Sequence, residues 1–246
     1  MCTLVLAWQV FADAPVVAAA NRDERLDRES EPPARRDWER PTVAPMDVEA
    51  AGTWIGYNDA GVFTGITNRW VDDPLAAERS RGLLVRDVLG HESAEDAARF
   101  VERDVRSRAY DGFNLVVADA AAAIYLEWNG SLRVRNFDPG VHVVVNVGAD
   151  GDYVVPAARP EAGEEQATNA SAVRTVLQPE PGEDSRDWLD RAATVIADHQ
   201  YGVCVHEDGY GTRSSSLIRL GTDDATYEFA PGPPCETAAE PVDGWV

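Results

Sequence analysis

The second residue of the chain is a cysteine, and this position would give it two reactive groups once the initiator is removed. Removal of Met1 is expected because Cys2 has a small side chain. Cys2 would then carry a thiol and an α-amine, and the ordinary amine pKa of about 8 suits it to act as a base for the thiol. In the other open interpretation, Cys2 is a small apolar residue of an edge strand.

Polar residues follow the second apolar run of the chain, in the sequence Asn21-Arg22-Asp23-Glu24. A guanidinium beside a carboxylate can hold an incoming carbonyl group, and it raises the thiolate fraction of a nearby cysteine. Arg22 and Asp23 are therefore candidate catalytic residues that would orient Cys2. The alternative is a capped strand end with a surface ion pair.

Two more strands end in an asparagine, namely Asn68 and Asn146. A side-chain amide at such a place can donate a hydrogen bond to the oxyanion that develops when a carbonyl group is attacked. Both residues are candidate oxyanion donors. For Asn68, the alternative role is formation of a turn.

Three other residues are candidates for substrate binding. Trp54 lies in the glycine-flanked segment Gly52-Thr53-Trp54-Ile55-Gly56, and packing in the core or at its rim is its alternative role. Asn114 interrupts an apolar strand, where its amide must find hydrogen-bond partners, so a structural role is its alternative. Arg213 precedes three serines, a combination suited to an anion or a carboxylate.

Apolar periodicity and turn residues predict the elements that position these side chains. The predicted strands are 2–8, 15–20, 53–57, 62–67, 113–118, 123–128, 132–136, 142–147, 201–205, 215–220 and 225–229. The predicted helices are 80–89, 93–107, 168–178 and 184–199. The polar stretch 24–45 and the tail 231–246 are predicted to be irregular because Pro, Gly and charged residues dominate them.

Hairpin-like neighbours dominate this order of elements. The sequence therefore predicts an α+β fold in which two antiparallel sheets carry helices on their outer faces. The length of 246 residues suits one large domain or two small ones. No linker or internal repeat is visible, so a single domain over 1–246 is expected.

The charge is strongly acidic, with a formal net value of −21 and no lysine. Acidic residues are spread along the chain, which is typical of proteins from salt-loving organisms, and no basic stripe points to nucleic acid. Three scattered cysteines and four scattered histidines suggest no disulfide framework and no metal ligands. With no membrane-spanning segment or export signal visible, a cytoplasmic protein is expected; the oligomeric state is left open.

Several short motifs, lying in order along nearly the whole chain, resemble the NRDE domain family, also called the transport and Golgi organisation protein 2 family. The matching segments are Met1-Cys2, residues 19–24, 52–56, 67–68, 80–85, 110–115, 203–205 and 209–213. One departure is that Val144-Val145-Asn146 stands where the family tends to have Leu-Ser-Asn, so the amide is kept and the hydroxyl is lost.

The resemblance implies a four-layer αββα sandwich of the N-terminal nucleophile hydrolase type. The acidic composition points to a prokaryotic and halophilic member of the family. The chain is similar, more distantly, to bile salt hydrolases and penicillin V acylases. By that comparison Cys2 is nucleophile and base, Asp23 holds its amine, and Asn68 and Asn146 are the oxyanion donors. Arg22 and Arg213 match the arginines of those enzymes only loosely.

Two functions follow as expectations from the resemblance. The first is an amidohydrolase that acts on a small molecule with a linear, non-peptide C–N bond and needs no cofactor. The second is a non-enzymatic protein that binds or carries haem or an acyl lipid on the same scaffold, since eukaryotic relatives are linked to haem mobilisation and lipid homeostasis.

Overall fold

The structure is a computed structural model that describes residues 2–243. Its elements follow one another in the chain as a series of strands with two pairs of helices. The strands are β1 (Thr3–Trp8), β2 (Val16–Arg25), β3 (Ser30–Asp37), β4 (Pro41–Asp47), β5 (Ile55–Asn58), β6 (Phe63–Asn68), β7 (Phe113–Ala118), β8 (Ala123–Trp128), β9 (Leu132–Asn136), β10 (Gly140–Val145), β11 (Gly148–Ala149), β12 (Asp152–Tyr153), β13 (His206–Glu207), β14 (Tyr210–Leu220), β15 (Ala225–Ala230) and β16 (Glu240–Pro241). The helices are α1 (Arg81–Val88), α2 (Ala94–Asp104), α3 (Pro160–Val176) and α4 (Ser185–Ala197), with a short 3₁₀ turn at His199–Tyr201.

The described residues divide into two compact units. The first unit comprises residues 2–28 and 139–242, and the second comprises residues 29–138 together with residue 243. Each unit contains one antiparallel sheet and two helices. The expectation of a single domain over 1–246 stays a prediction.

The sheet of the first unit has β1 and β2 near its centre. Its strand order is β12-β11-β10-β1-β2-β14-β15-β16, with β13 added to β14. Every residue of β1 is buried, as expected for a run of Val, Leu and Ala in a central strand. Helix α3 contacts β10, and helix α4 contacts β2 and β14. The ends of β1, β2 and β10 therefore lie side by side in a well-packed setting.

The sheet of the second unit is a meander whose strands pair in chain order from β3 to β9. Helices α1 and α2 pack on it, and the buried side chains of Leu84, Val85, Val101, Phe113 and Leu126 form part of one apolar cluster. Serines cap both helices: Ser80 Oγ accepts from Gly82 N, and Ser93 Oγ accepts from Asp96 N. The predicted strands 53–57 and 62–67 form the hairpin of β5 and β6, and Gly61 in its turn has a φ of 75°, which favours glycine.

Two local predictions were wrong. The stretch 24–45 contains strands β3 and β4 rather than an irregular excursion. The prolines of this stretch suggest an irregular segment, but an edge strand tolerates proline. The register shift between Glu31 and Ala34 accommodates Pro32 and Pro33. The predicted strand 201–205 is a 3₁₀ turn followed by a loop. Gly202 is left-handed with a φ of 63°, and the carbonyl oxygen of Val203 accepts a hydrogen bond from Asn21 Nδ2 instead of from a neighbouring strand.

Some boundaries also differ. Helix α3 begins eight residues before the predicted start at 168, with Pro160 in its first turn. The tail after β15 is irregular up to residue 243 except for the short strand β16, and the rest of the predicted tail, 244–246, lies outside the described residues. No helix within residues 2–243 is long and apolar enough to cross a membrane.

Candidate active site

Cys2 sits where three strands of the first unit end. The antiparallel register pairs Leu4 with Val144, and continuing it by two residues places Cys2 opposite Asn146. On the other side, Thr3 pairs with Asn21, which places Cys2 opposite Arg22. The candidate nucleophile, one candidate oxyanion donor and the Arg-Asp pair therefore lie together, at neighbouring ends of three central strands.

The backbone nitrogen of Cys2 donates to Asn146 Oδ1 over 3.1 Å. The same oxygen accepts from Gln166 Nε2 of helix α3 over 2.9 Å, and both polar side chains are buried. Because two donors fix Oδ1, the orientation of the Asn146 amide is set. This arrangement holds the nitrogen that becomes the α-amine when Met1 is removed; whether Met1 is removed lies outside the described residues.

The thiol of Cys2 lies beside Asp23. Cys2 Sγ donates to the Asp23 carbonyl oxygen over 3.5 Å, and the Tyr210 hydroxyl donates to the same oxygen over 3.2 Å. Burial raises the pKa of the Cys2 thiol, whereas the positive charge of Arg22 acts in the opposite direction. A thiol with a raised pKa keeps its proton at neutral pH, so a nearby base is needed to make it nucleophilic.

The carboxylate of Asp23 is buried and accepts from Thr212 Oγ1 of β14 over 2.5 Å. Thr212 Oγ1 also accepts from Val205 N over 2.9 Å, so the threonine links Asp23 to the loop before β13. Burial raises the pKa of Asp23, because the ionised form loses water. Arg22 is buried as well, and its guanidinium lies 4.0 Å from Glu24.

The motif residue Asn21 has a structural role. Its Nδ2 donates to the carbonyl oxygens of Ile196 and Val203, both over 2.8 Å. These bonds attach the end of helix α4 and the following loop to β2. Asn21 therefore supports the strand end that carries Arg22 and Asp23.

Arg213, a candidate for anion binding, also contacts backbone. It occupies the register shift between Thr212 and Ser214, and its guanidinium donates to the carbonyl oxygens of Leu26 and Arg28. These contacts hold the chain that leaves β2. A role in carboxylate binding stays a prediction.

Asn68, Trp54 and Asn114 belong to the second unit. Asn68 is exposed at the end of β6, Trp54 is half-buried, and Asn114 is fully buried. The Asn114 amide joins a buried network that contains the ion pair of Arg69 with Glu127, 3.2 Å apart. Its Oδ1 accepts from Arg69 and from Tyr125 OH. The roles of all three residues in the site stay predictions.

Sequence reasoning missed Gln166, Tyr210 and Thr212. The segment 209–213 is one of the family motifs, but only Arg213 within it is predicted to have a role. Gln166 lies in helix α3, where no local signal separates a buried glutamine from a solvated one. Its importance follows only from the packing of α3 against β10.

The fold is that of N-terminal nucleophile hydrolases. Penicillin V acylase from Agrobacterium tumefaciens is similar with a TM-score of 0.55 at 15% identity, covering 94% of this chain and 83% of that chain. The Caenorhabditis elegans N-acylethanolamine-hydrolyzing acid amidase ortholog is similar with a TM-score of 0.57 at 12% identity, covering 88% and 92%. Conjugated bile acid hydrolase from Clostridium perfringens is similar with a TM-score of 0.52 at 11% identity, covering 98% and 92%. The predicted α+β fold class is confirmed.

The sequence profile of the family described as Transport and Golgi organisation 2 matches residues 1–229, so the chain belongs to this family. A human relative, Transport and Golgi organization protein 2 homolog, is 24% identical over 230 residues, covering 85% of this chain and 83% of the relative. The predicted family is confirmed.

Proposed function

We propose that the protein is an N-terminal nucleophile amidohydrolase that cleaves linear, non-peptide C–N amide bonds, with Cys2 as the nucleophile after removal of Met1. The observation that carries the proposal is the position of the Cys2 nitrogen, held 3.1 Å from Asn146 Oδ1 while the thiol lies against Asp23. An amine and a thiol on one fixed residue form a base–nucleophile pair.

The reaction starts when the neutral α-amine takes the thiol proton and the thiolate attacks the carbonyl carbon. The oxyanion that forms is stabilised by an amide donor, for which Asn146 of the first unit is the candidate. The C–N bond then breaks, and the leaving amine takes the proton from the α-ammonium group. Water attacks the resulting thioester and releases the acid and the free thiol.

The buried carboxylate of Asp23 serves in this scheme to orient the amine, and Thr212 fixes the carboxylate by its hydrogen bond. Gln166 acts as a positioning residue through Asn146. Arg22 lowers the pKa of the thiol and so favours the reactive thiolate.

The structural neighbours suggest the first substrates to test. Their names mention penicillin V, N-acylethanolamines and conjugated bile acids. These compounds share a carbonyl carbon that is amide-bonded to a small amine or a ring system. A panel of such amides, with varied acyl length, would define the acyl and amine preferences.

The test combines mass spectrometry with turnover. Intact mass shows whether Met1 is absent, and brief iodoacetamide treatment at neutral pH with peptide mapping compares the alkylation rates of the three cysteines. We expect loss of Met1, fastest labelling at Cys2, and turnover of at least one amide that falls by at least about 10³-fold in Cys2→Ala. An unchanged Tm of the variant serves as the folding control.

Two outcomes would overturn the proposal. One is retained Met1, which leaves no α-amine on Cys2. The other is turnover that survives in Cys2→Ala. Stoichiometric haem or acyl-lipid binding that is indifferent to Cys2 would then favour the carrier function, which stays a prediction.

A further inference from the structure

Four potential metal ligands converge in the first unit, away from the hydrogen bonds of Cys2. His199, Cys204, His206 and Cys235 each bring one ligand atom, and all four atoms lie within 4.8 Å of one another. Two histidines and two cysteines make a common ligand set for structural zinc. The sequence predicts no metal ligands because the four residues match no familiar spacing, so tertiary structure alone reveals the cluster.

Three of the six distances between the ligand atoms are close to those around a tetrahedral ion. Zinc bonds of about 2.3 Å to sulfur and about 2.0–2.1 Å to nitrogen separate tetrahedral ligand atoms by about 3.3–3.8 Å. Cys204 Sγ lies 3.5 Å from Cys235 Sγ and 3.7 Å from His206 Nε2. His206 Nε2 lies 3.1 Å from Cys235 Sγ. The ring centroid of His199 is 5.2 Å from that of His206, and the ligand atom of His199 lies within 4.8 Å of the other three.

The fold brings these ligands together from two stretches of chain, residues 199–206 and the segment that contains Cys235. His199 opens the 3₁₀ turn, and left-handed Gly202 turns the chain so that Cys204 follows on the same side. His206 begins β13, where it pairs with Gly211. A Cβ on Gly211 would lie 2.6 Å from the Val205 carbonyl oxygen, so glycine is required for this close approach.

The fourth ligand comes from the segment after β15. Cys235 lies in a turn in which Glu236 N and Thr237 N donate to the Pro233 carbonyl oxygen over 3.0 and 2.9 Å. Beyond this turn, β16 pairs with β15 and returns the chain to the sheet. The turn is thus anchored on both sides, and it presents Cys235 to the other three ligands.

The composition of the cluster also indicates the kind of metal. The chain has 43 acidic residues, yet none of them belongs to the ligand group found among residues 2–243. Thiolate and imidazole ligands favour zinc, whereas magnesium and calcium prefer oxygen. Four protein ligands fill a tetrahedral site and leave no position for a substrate, which is the arrangement of a structural site.

A disulfide is the competing explanation for two of the four residues. Cys204 and Cys235 are free cysteines in the structure, and a bond between them would need the sulfur atoms to approach to about 2.05 Å. A disulfide gives no reason for two imidazoles to converge on the same point. A metal ion accounts for all four side chains.

We propose that His199, Cys204, His206 and Cys235 bind one structural Zn²⁺ ion, which fastens the segment after β15 to the loop between α4 and β14. Binding replaces the protons of the two thiols. The loop also reaches the candidate active site, because Val205 N donates to Thr212 Oγ1 and Thr212 donates to Asp23. The ion would therefore also stabilise the surroundings of Asp23.

The first experiment measures metal content. The full chain, without a histidine tag, is incubated with Zn²⁺ and a phosphine reductant, then gel-filtered in about 1 M KCl, which screens loosely held cations from the acidic surface. We expect about one Zn²⁺ per chain in the wild type, and loss of most of it in Cys235→Ser and His206→Gln. Cys2→Ala and His91→Gln are the matched controls, and they should keep the full content.

A second measurement needs no variant and so avoids any folding defect. Co²⁺ added to the wild type should give the thiolate charge-transfer band and the intense visible bands of a tetrahedral site. Zn²⁺ should slow the alkylation of Cys204 and Cys235 by at least about tenfold and leave Cys2 unaffected, because a bound thiolate is no longer a free nucleophile.

The proposal is wrong if zinc content in the wild type is far below one per chain or is unchanged in Cys235→Ser. Cobalt spectra without thiolate bands, or a Cys204–Cys235 disulfide that persists with the reductant, would also overturn it. None of these results bears on catalysis by Cys2, because Cys2→Ala tests the amidohydrolase and leaves the metal ligands intact.

Discussion

Asp23 is the residue at which the needs of folding and of catalysis conflict. Its carboxylate is buried beside the candidate nucleophile, and burial raises its pKa. Because the pKa of the folded state lies above that of the unfolded state, stability from this group is greatest below the unfolded pKa of about 3.9 and is lost as pH rises through the folded value. This carboxyl group therefore contributes less stability at neutral pH than in acid.

We expect Asp23→Asn to keep or raise the Tm at pH 7, since an amide accepts the Thr212 hydrogen bond without carrying a charge. Any Tm advantage over the wild type should shrink as pH falls toward 4, because more of the wild-type carboxyl is then protonated. Turnover should fall by about 10²-fold, the size of effect typical for general acid–base groups. Thermal melts across pH and single-turnover rates check both parts, and a lower Tm at pH 7 would contradict the linkage argument.

Asn58 is the clearest case in which one side chain joins two elements. It ends β5 at the tight turn to β6, and its Oδ1 accepts from Ala60 N and Val62 N, both over 3.0 Å. Its Nδ2 donates to the carbonyl oxygens of Leu89 and His91, both over 2.8 Å. A single amide thus attaches the hairpin to the end of helix α1 and the chain that follows.

We expect Asn58→Ala to lower the free energy of unfolding by about 3 kcal/mol, because it leaves buried backbone groups without partners. Asn58→Asp keeps the acceptor oxygens and loses the donors, so it separates the turn from the attachment to α1. Ser93→Ala, which removes only the cap of α2, should cost about 1 kcal/mol. Urea unfolding measures all three, and equal losses for Asn58→Ala and Ser93→Ala would contradict the ranking.

At the scale of the whole molecule, the charge should govern how the protein responds to salt. The net charge of −21 is spread along the chain, so negatively charged side chains repel one another in the folded state and lower its stability. Raising ionic strength from 0.1 to 1 M shortens the screening length from about 10 Å to about 3 Å. Repulsion between separated carboxylates then largely disappears.

We expect the Tm to rise with KCl, by roughly 4–8 °C if screening contributes about 2 kcal/mol. Differential scanning calorimetry in KCl measures this, and an uncharged osmolyte series at matched osmolality shows how much of the shift is not electrostatic. A Tm that stays flat between 0.1 and 1 M KCl would count against charge repulsion as a determinant of stability, and against the predicted adaptation to salt.

The sequence by itself determined the elements that follow from local patterns. The apolar runs of β1, β7 and β8 and the helices α1 and α2 appear where they are predicted, because side-chain periodicity acts over a few residues. Family motifs gave the fold class. The sequence did not predict the Pro-rich strand β3, because its position at the edge of the sheet depends on how distant strands pair. It also did not predict the loop after Gly202, where the Val203 carbonyl oxygen accepts a hydrogen bond from the distant Asn21 side chain.

Only the tertiary structure decided which polar side chains share a site. Cys2 and Asn146 are 144 positions apart, and strand register makes them neighbours. Gln166 enters the site because α3 packs on β10, and the four Cys and His ligands meet because the segment after β15 folds back onto the sheet. Such contacts depend on how elements pack, and a hydrogen bond or a metal ligand leaves no periodic signal in the chain.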